Sequence, residues 1–274
     1  MTSIALFGAG GKMGYRLAAN LKGSRFEVRH VEVSPVGRER LAELEVQATE
    51  AEQALEGAQV VILAVPDTAI GQVASGIAGR LAPGTMVVVL DAAAPFAGHL
   101  PNRPDLTYFI THPCHPPIFN DETQMPAKTD YFGGIAAKQH IVNALMQGPD
   151  EDYALGEEIA RTIWAPVMRS HRVSVEQMAL LEPGLSETVC ATLLVVMKEA
   201  MDEVVARGVP HEAARDFLLG HMNVLASVIF EERPGMFSDA CNKAIEFGKP
   251  ALMRPDWKQV FEPEELAASI RRIT

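Results

Sequence analysis

The sequence predicts an α/β protein: a doubly wound parallel sheet in the N-terminal part, followed by an all-helical C-terminal domain. Three observations carry this expectation. Short, wholly apolar runs recur through the first half at Ile4–Phe7, Val60–Val65 and Thr85–Leu90, without the alternation of a half-exposed strand, as buried parallel strands require. A glycine-rich turn, GAGGKMG, follows the first run at once and opens onto YRLAANLKGS, whose apolar residues recur at helical spacing. Beyond QGPDED (Gln147–Asp152) the helical period takes over, which places the expected domains at 1–150 and 151–274.

Taken in order, Ile4–Phe7 forms the first strand and Phe26–Val33 the second, with a helix over Arg38–Gln47. Val60–Val65 ends at Pro66-Asp67, Thr85–Leu90 ends at Asp91, and Tyr108–Ile110 adds a further strand. In open sheets of this kind ligands gather at the carboxyl ends of the strands. Five segments fall there: Gly8–Gly14, Glu32–Ser34, Pro66-Asp67, Asp91–Pro95 and THPCHPP at 111–117. In the second half, Tyr153–Trp164 forms a helix and MRSHRVS an extended crossing piece. Ser174 with Gln177 makes a capping box that starts a helix running to about Arg207. Pro183-Gly184 interrupts it, because proline lacks the N–H that would bond the Ala179 carbonyl, and a kink is expected. Pro210 and Ser238 begin two further helices.

The glycine turn follows G-x-x-G-x-x-G through Gly8, Gly11 and Gly14; the more familiar G-x-G-x-x-G fails because its last position is Met13. A strand, a glycine turn and a helix in this order form a Rossmann-like dinucleotide site, in which side-chain-free backbone approaches a pyrophosphate at a helix N-terminus. The expected cofactor-binding residues are Gly8, Gly10, Gly11, Lys12, Met13, Gly14, Glu32, Pro66 and Asp67. Glu32 lies 18 residues beyond Gly14, at the end of the second strand. A carboxylate there accepts hydrogen bonds from an adenosine ribose diol and favours NAD. Ser34 and Arg38 follow closely and leave NADP open through a cradle for a 2′-phosphate.

Composition narrows the partners. A net charge of −11 over 274 residues repels nucleic acid and anionic lipid surfaces. Cys114, Cys190 and Cys241 are odd in number, far apart and without a CxxC pair, so they are expected to be reduced thiols. The N-terminus carries no basic segment ahead of a long apolar stretch, and charges break the later apolar runs before they reach spanning length; a cytoplasmic location is expected. Apolar stretches such as Val189–Met197 exceed what a small helical domain buries, so we expect a homodimer, the alternative being packing on the first domain.

The loop THPCHPPIF holds His112 and His115 rigidly, since proline fixes φ and stiffens its neighbours. These imidazoles suit a divalent metal, with Glu182 supplying an oxygen across the domain cleft, or equally a proton-transfer site beside the nicotinamide. Glu182 and Glu187 flank the proline interruption in LEPGLSET, and Glu182 follows the apolar run Met178–Leu181. Asp121 and Glu122 read as solvated, and Cys114 as a packed or bystander thiol. Lys138, His140, Arg169, His171 and Arg172 are the cations available to an acid substrate, and the sequence does not choose among them.

GAGGKMG, VILAVPD, the DAAAP turn and the helical second half together resemble the 6-phosphogluconate dehydrogenase and ketol-acid reductoisomerase superfamily over essentially the whole chain. HVEVSP, THPCHPPIFND and LLEPGLSET are similar, more narrowly, to the bacterial D-apionate oxidoisomerases. The resemblance implies an NAD-dependent oxidation of a branched sugar acid, D-apionate, coupled to a 1,2-shift of a carbon group that gives 3-oxo-isoapionate. It implies a divalent metal such as Zn or Mg, with His112 and Glu182 as ligands and His112, His115 and Glu182 as catalytic residues. One departure stands out: simple β-hydroxyacid dehydrogenases of the superfamily carry a catalytic lysine four residues after a helix glycine, and the residue here is Thr188. A plain NAD(P)-dependent 3-hydroxyacid dehydrogenase and a non-catalytic nucleotide sensor remain the alternatives.

Overall fold

The computed structural model describes residues 1–274. Seven strands form one sheet: β1 (Ser3–Phe7), β2 (Glu27–Val31), β3 (Val60–Leu63), β4 (Met86–Val89), β5 (Thr107–Pro113), β6 (Gln139–Gln147) and β7 (Val167–Arg172), in the order β2-β1-β3-β4-β5-β6-β7. All neighbours are parallel except β5 and β6, which run antiparallel. The order reverses direction at β1 and β3, so the crevice between their carboxyl ends is the switch point where such sheets take ligands.

Helices cover both faces. Within the sheet-bearing part they are α1 (Lys12–Leu21), α2 (Pro35–Glu43), α3 (Ala51–Leu55), α4 (Asp67–Ala78), α5 (Ala93–Phe96), α6 (Met125–Lys128), α7 (Asp152–Ile163) and α8 (Val175–Ala179). Because side chains alternate across a strand, each strand feeds two cores. Ala5, Val61, Val87, Ile110, Val142, Val175 and Met178 belong to one. Ile4, Leu6, Ile62, Val88, Phe109, Ile141, Ile159 and Trp164 belong to the other. β1, β3 and β4 are wholly buried, which is why their sequences are unbroken apolar runs.

Two stretches differ from the sequence expectation. β6 was not anticipated, and MRSHRVS is no crossing piece but carries β7, the parallel edge strand beside β6. The chain therefore divides later than residue 150: one compact unit comprises Met1–Glu182 with Ala267–Thr274, the other Pro183–Leu266. The reason is that QGPDED only turns the chain from β6 into α7, whose Ile159, Ala160 and Ile163 are needed to cover the sheet.

The proline does not break the long helix. Leu180–Ala191 winds as a π-helix, with i→i+5 bonding and Pro183 inside it, between α8 and α9 (Thr192–Ala206). Thr188 Oγ1 donates to the Pro183 carbonyl at 2.7 Å. The helix is thus continuous over Val175–Ala206, long and apolar enough by composition to cross a membrane although little of it is buried; charges do not shorten it as the sequence suggested. The second unit continues with α10 (His211–Ile229), α11 (Asp239–Leu252), a 3₁₀ turn at Trp257–Phe261 and the start of α12 (Pro263–Ile273). α11 buries no residue, and Phe217, Ile229, Phe230, Phe247 and Leu252 are each more than half exposed.

Two helical glycines test the packing argument. A Cβ on Gly156 would lie 2.3 Å from the Phe109 ring, whereas one on Gly76 would meet nothing within 4 Å. We expect Gly156→Ala to destabilise the fold by about 1–3 kcal/mol through overpacking. Gly76→Ala should stabilise it by about 0.4–1 kcal/mol by restricting the unfolded chain. Urea unfolding of the two variants measures both.

Candidate active site

At the switch point the backbone crosses itself closely. Gly8 has φ +71°, and a Cβ there would stand 2.4 Å from the Ala64 carbonyl oxygen, just before Pro66-Asp67. A Cβ on Gly14 would meet the Gly8 oxygen at 2.0 Å, and one on Gly10 the Gly37 oxygen at 2.2 Å. Gly11, the N-cap of α1, is less crowded, its nearest contact being 3.1 Å. The glycines that geometry demands are therefore Gly8, Gly10 and Gly14, whereas the sequence spacing pointed to Gly8, Gly11 and Gly14. Lys12 projects its Nζ to 5.2 Å from the Phe132 ring centroid, and Met13 packs on the core.

Glu32 is buried at the end of β2. Its Oε2 accepts from the Gly10 N–H and its Oε1 from the Ser34 N–H, both at 2.8 Å. A carboxylate has about four acceptor positions, so two remain for a ribose diol. Arg38 is turned away from a phosphate role: its Nε donates to the Glu32 carbonyl at 2.8 Å and it pairs with Glu50. Ser34 caps α2. This pocket suits a 2′-hydroxyl and disfavours a 2′-phosphate.

Further along the same carboxyl edge, Asp91, His112 and Glu182 present ligand atoms that all lie within 4.8 Å of one another. The sequence singled out His112 and Glu182; it missed Asp91 as a donor, although a carboxylate directly after a buried strand on the ligand edge was the signal. His112 stands at the end of β5, on the face of Ile110. Glu182 lies four residues beyond Met178, which packs on that face, so helical spacing brings its carboxylate to the same side. Glu182 belongs to the same compact unit as His112 and Asp91; it does not reach them from the second unit, as the sequence suggested.

The His112 Nδ1 lies 2.8 Å from the Pro113 carbonyl. A carbonyl only accepts, so Nδ1 carries the proton and Nε2 keeps its lone pair. Burial pushes the His112 pKa down, against a smaller upward pull from Asp91. A neutral imidazole beside two carboxylate oxygens is a donor set that fits a divalent cation. His115, with φ +61°, is not in this trio. Its ring centroid is 6.0 Å from that of His112, and its Nδ1 donates to the Phe132 carbonyl at 2.8 Å, leaving Nε2 as a base.

The remaining candidates separate cleanly. Glu187 is exposed. Asp121 and Glu122 engage the side chain and backbone N–H of Lys138. Arg172 pairs with Asp150. Asp130 was not anticipated: its buried carboxylate accepts from the N–H groups of Gly133, Ile135, Ala136 and Ala137, fixing the loop that carries Phe132. Residues 120–274 match the phosphogluconate dehydrogenase (decarboxylating) C-terminal family, and residues 3–95 match the NAD-binding domain of 6-phosphogluconate dehydrogenase. A D-apionate oxidoisomerase from Rhizobium rhizogenes is 77% identical, with all of both chains aligned. The chain belongs to the D-apionate oxidoisomerase family.

Two solved structures share the fold. A protein from Cupriavidus necator, described as a semialdehyde dehydrogenase NAD-binding protein and crystallised with calcium and NAD, superposes with a TM-score of 0.99 at 69% identity over all of both chains. An NADH-preferring ketol-acid reductoisomerase from an uncultured archaeon shares the fold, at TM-score 0.67 and 17% identity over 99% of this chain and 82% of its own.

Burial also lowers the pKa of His30. For His30 and His112 the unfolded chain, titrating near 6.5, binds more protons than the folded protein just below that value. Their stability contribution is therefore present above 6.5 and lost as pH falls toward the depressed folded values. Urea midpoints should rise from pH 5.5 to pH 7, and His30→Gln should flatten that rise.

Proposed function

We propose that this protein is an NAD-dependent oxidoisomerase that converts D-apionate to 3-oxo-isoapionate. The observation that carries the reading is the Asp91–His112–Glu182 donor trio on the carboxyl edge of a sheet whose switch point is built for a dinucleotide. Family membership and the calcium and NAD of the Cupriavidus necator structure support it. Gly8, Gly10 and Gly14 with the N-terminus of α1 would hold the pyrophosphate, Glu32 the ribose diol, and Pro66-Asp67 the nicotinamide side.

NAD supplies the hydride acceptor for the carbon next to the substrate carboxylate. A divalent cation held by Asp91, His112 and Glu182 supplies Lewis-acid stabilisation of negative charge on the substrate oxygens. His115 takes the hydroxyl proton at Nε2 during oxidation, because its Nδ1 proton is committed to Phe132. A carbon group then migrates with its bonding pair to the new carbonyl carbon, the neighbouring hydroxyl becomes the ketone, and its proton passes to the alkoxide formed. The stiff prolines around His112 and His115 keep both rings placed before substrate arrives. Thr188, where simple dehydrogenases carry lysine, is occupied with the Pro183 carbonyl and leaves the proton to His115.

The protein is further proposed to work as a cytoplasmic homodimer on this small sugar acid, without nucleic-acid or membrane partners. The exposed apolar faces of α9, α10 and α11 support a second copy as their cover. The net charge of −11 and three free thiols support a soluble protein in a reducing compartment.

Incubation with NAD and D-apionate should yield NADH and a rearranged carbon skeleton, and a chelator should abolish both. An unrearranged keto acid would refute the isomerisation. His112→Asn and Glu182→Gln should each lower kcat by about 100-fold or more, while leaving NAD affinity, read by fluorescence of bound NADH, within about twofold. Light scattering should give a mass near twice 29.7 kDa, and Phe217→Glu with Phe247→Glu should shift it toward the monomer.

A further inference from the structure

Among the five cations the sequence offered, the structure removes two. Lys138 is held by Asp121 and Arg172 by Asp150. Arg169, His140 and His171 have no carboxylate partner and are brought together. Arg169 Nη2 lies 3.3 Å from His140 Nε2, and the His140 and His171 ring centroids are 6.1 Å apart. The His140 Nδ1 is buried with no hydrogen-bond partner. Burial, with the nearby Arg169 and His171, lowers the His140 pKa. Such a grouping is costly unless an anion completes it.

Its place in the sheet says which anion. His112 pairs with Val142, and Val142 with His171. Cross-strand partners share a face, and adjacent strands are about 4.8 Å apart, so the His171 backbone lies on the order of 10 Å from that of His112 on the same side of the sheet. His140 is two residues from Val142 and hence on that face, where the Cys114 N–H donates to its carbonyl at 2.8 Å. His112 and His171 thus belong to one face of the sheet, with the buried Val142 between them.

We propose that Arg169, with His140 and His171, binds the carboxylate of the substrate whose hydroxyl groups face Asp91, His112 and Glu182. Arg169 gives the fixed charge and a two-pronged donor, and the imidazoles donate from the flanks. The proposal rests on the oxidoisomerase reading for the identity of the acid. It explains how a chain of net charge −11 admits an anion: Arg169, on the edge strand β7, supplies a fixed positive charge without a carboxylate to neutralise it.

The test compares wild type, Arg169→Met, Arg169→Lys and His171→Asn on D-apionate and on its primary amide, which keeps the shape and removes the charge. For Arg169→Met the KM for D-apionate should rise by about 10- to 100-fold, a rise far larger than any change in kcat. Arg169→Lys should recover part of the loss, and His171→Asn should show a smaller one. Wild type should lose a similar factor on the amide, and Arg169→Met should lose little more. The KM for NAD, the melting temperature and the mass by light scattering should not move. If wild type turns D-apionate over and Arg169→Met keeps its KM within twofold, the subsite is wrong and the proposed function stands. If Arg169→Met instead dissociates the dimer, the cluster meets a carboxylate of the second copy and the proposal fails. If wild type produces no NADH from D-apionate, the function and the subsite fall together.

Discussion

The backbone crossing at Gly8 constrains everything downstream of it. With φ +71° and no side chain, Gly8 lets the end of β1 pass within contact of the Ala64 carbonyl after β3, while Gly14 lets α1 start directly over Gly8. Those contacts place the N-terminus of α1 at the point where the strand order reverses. Gly10 completes the arrangement by lying against Gly37 and donating to Glu32. The approach of β1 to the Ala64 carbonyl, and with it the proposed pyrophosphate and ribose contacts, depends on this one unobstructed crossing, and any side chain at Gly8, Gly10 or Gly14 would have to displace backbone.

From that edge the chemistry is assembled by three different devices. β4 delivers Asp91 by ending there. β5 delivers His112 in a fixed tautomer, because the Pro113 carbonyl claims the Nδ1 proton. The helix that begins at Ser174 delivers Glu182 on a π-helical stretch that tolerates Pro183. The cations arrive on the last two strands, where the sheet turns antiparallel at β6 and ends at β7. Under the proposed function these two groups would hold an acid by its two chemically different ends.

The second unit obeys another constraint. It exposes Phe217, Phe230 and Phe247 at 68%, 69% and 81%, an apolar surface that water alone does not accommodate well. α11 contributes nothing to a core of its own. Apolar area of this kind gains its stabilisation only when another surface removes it from water.

The sequence by itself determined the strands β1, β3 and β4, the glycine turn, the capping box at Ser174 and the pairing of His112 with Glu182 as candidates. These rest on local rules: unbroken apolar runs, residues without side chains at a turn, and an N-cap serine. Only the tertiary structure decided that Gly10 outranks Gly11, that Asp91 joins the donor set, and that Arg169 meets His140 rather than a carboxylate while Lys138 and Arg172 are ion-paired. β6 and β7 were hidden for the same reason as the domain boundary. Their residues mix apolar and polar positions at the edge of the sheet, so the local pattern is weak, and membership in the sheet is fixed by hydrogen bonds to strands distant in the chain. Periodicity records what a segment buries; which side chains then meet depends on register and on the crossing of distant elements, and no short stretch of sequence encodes that.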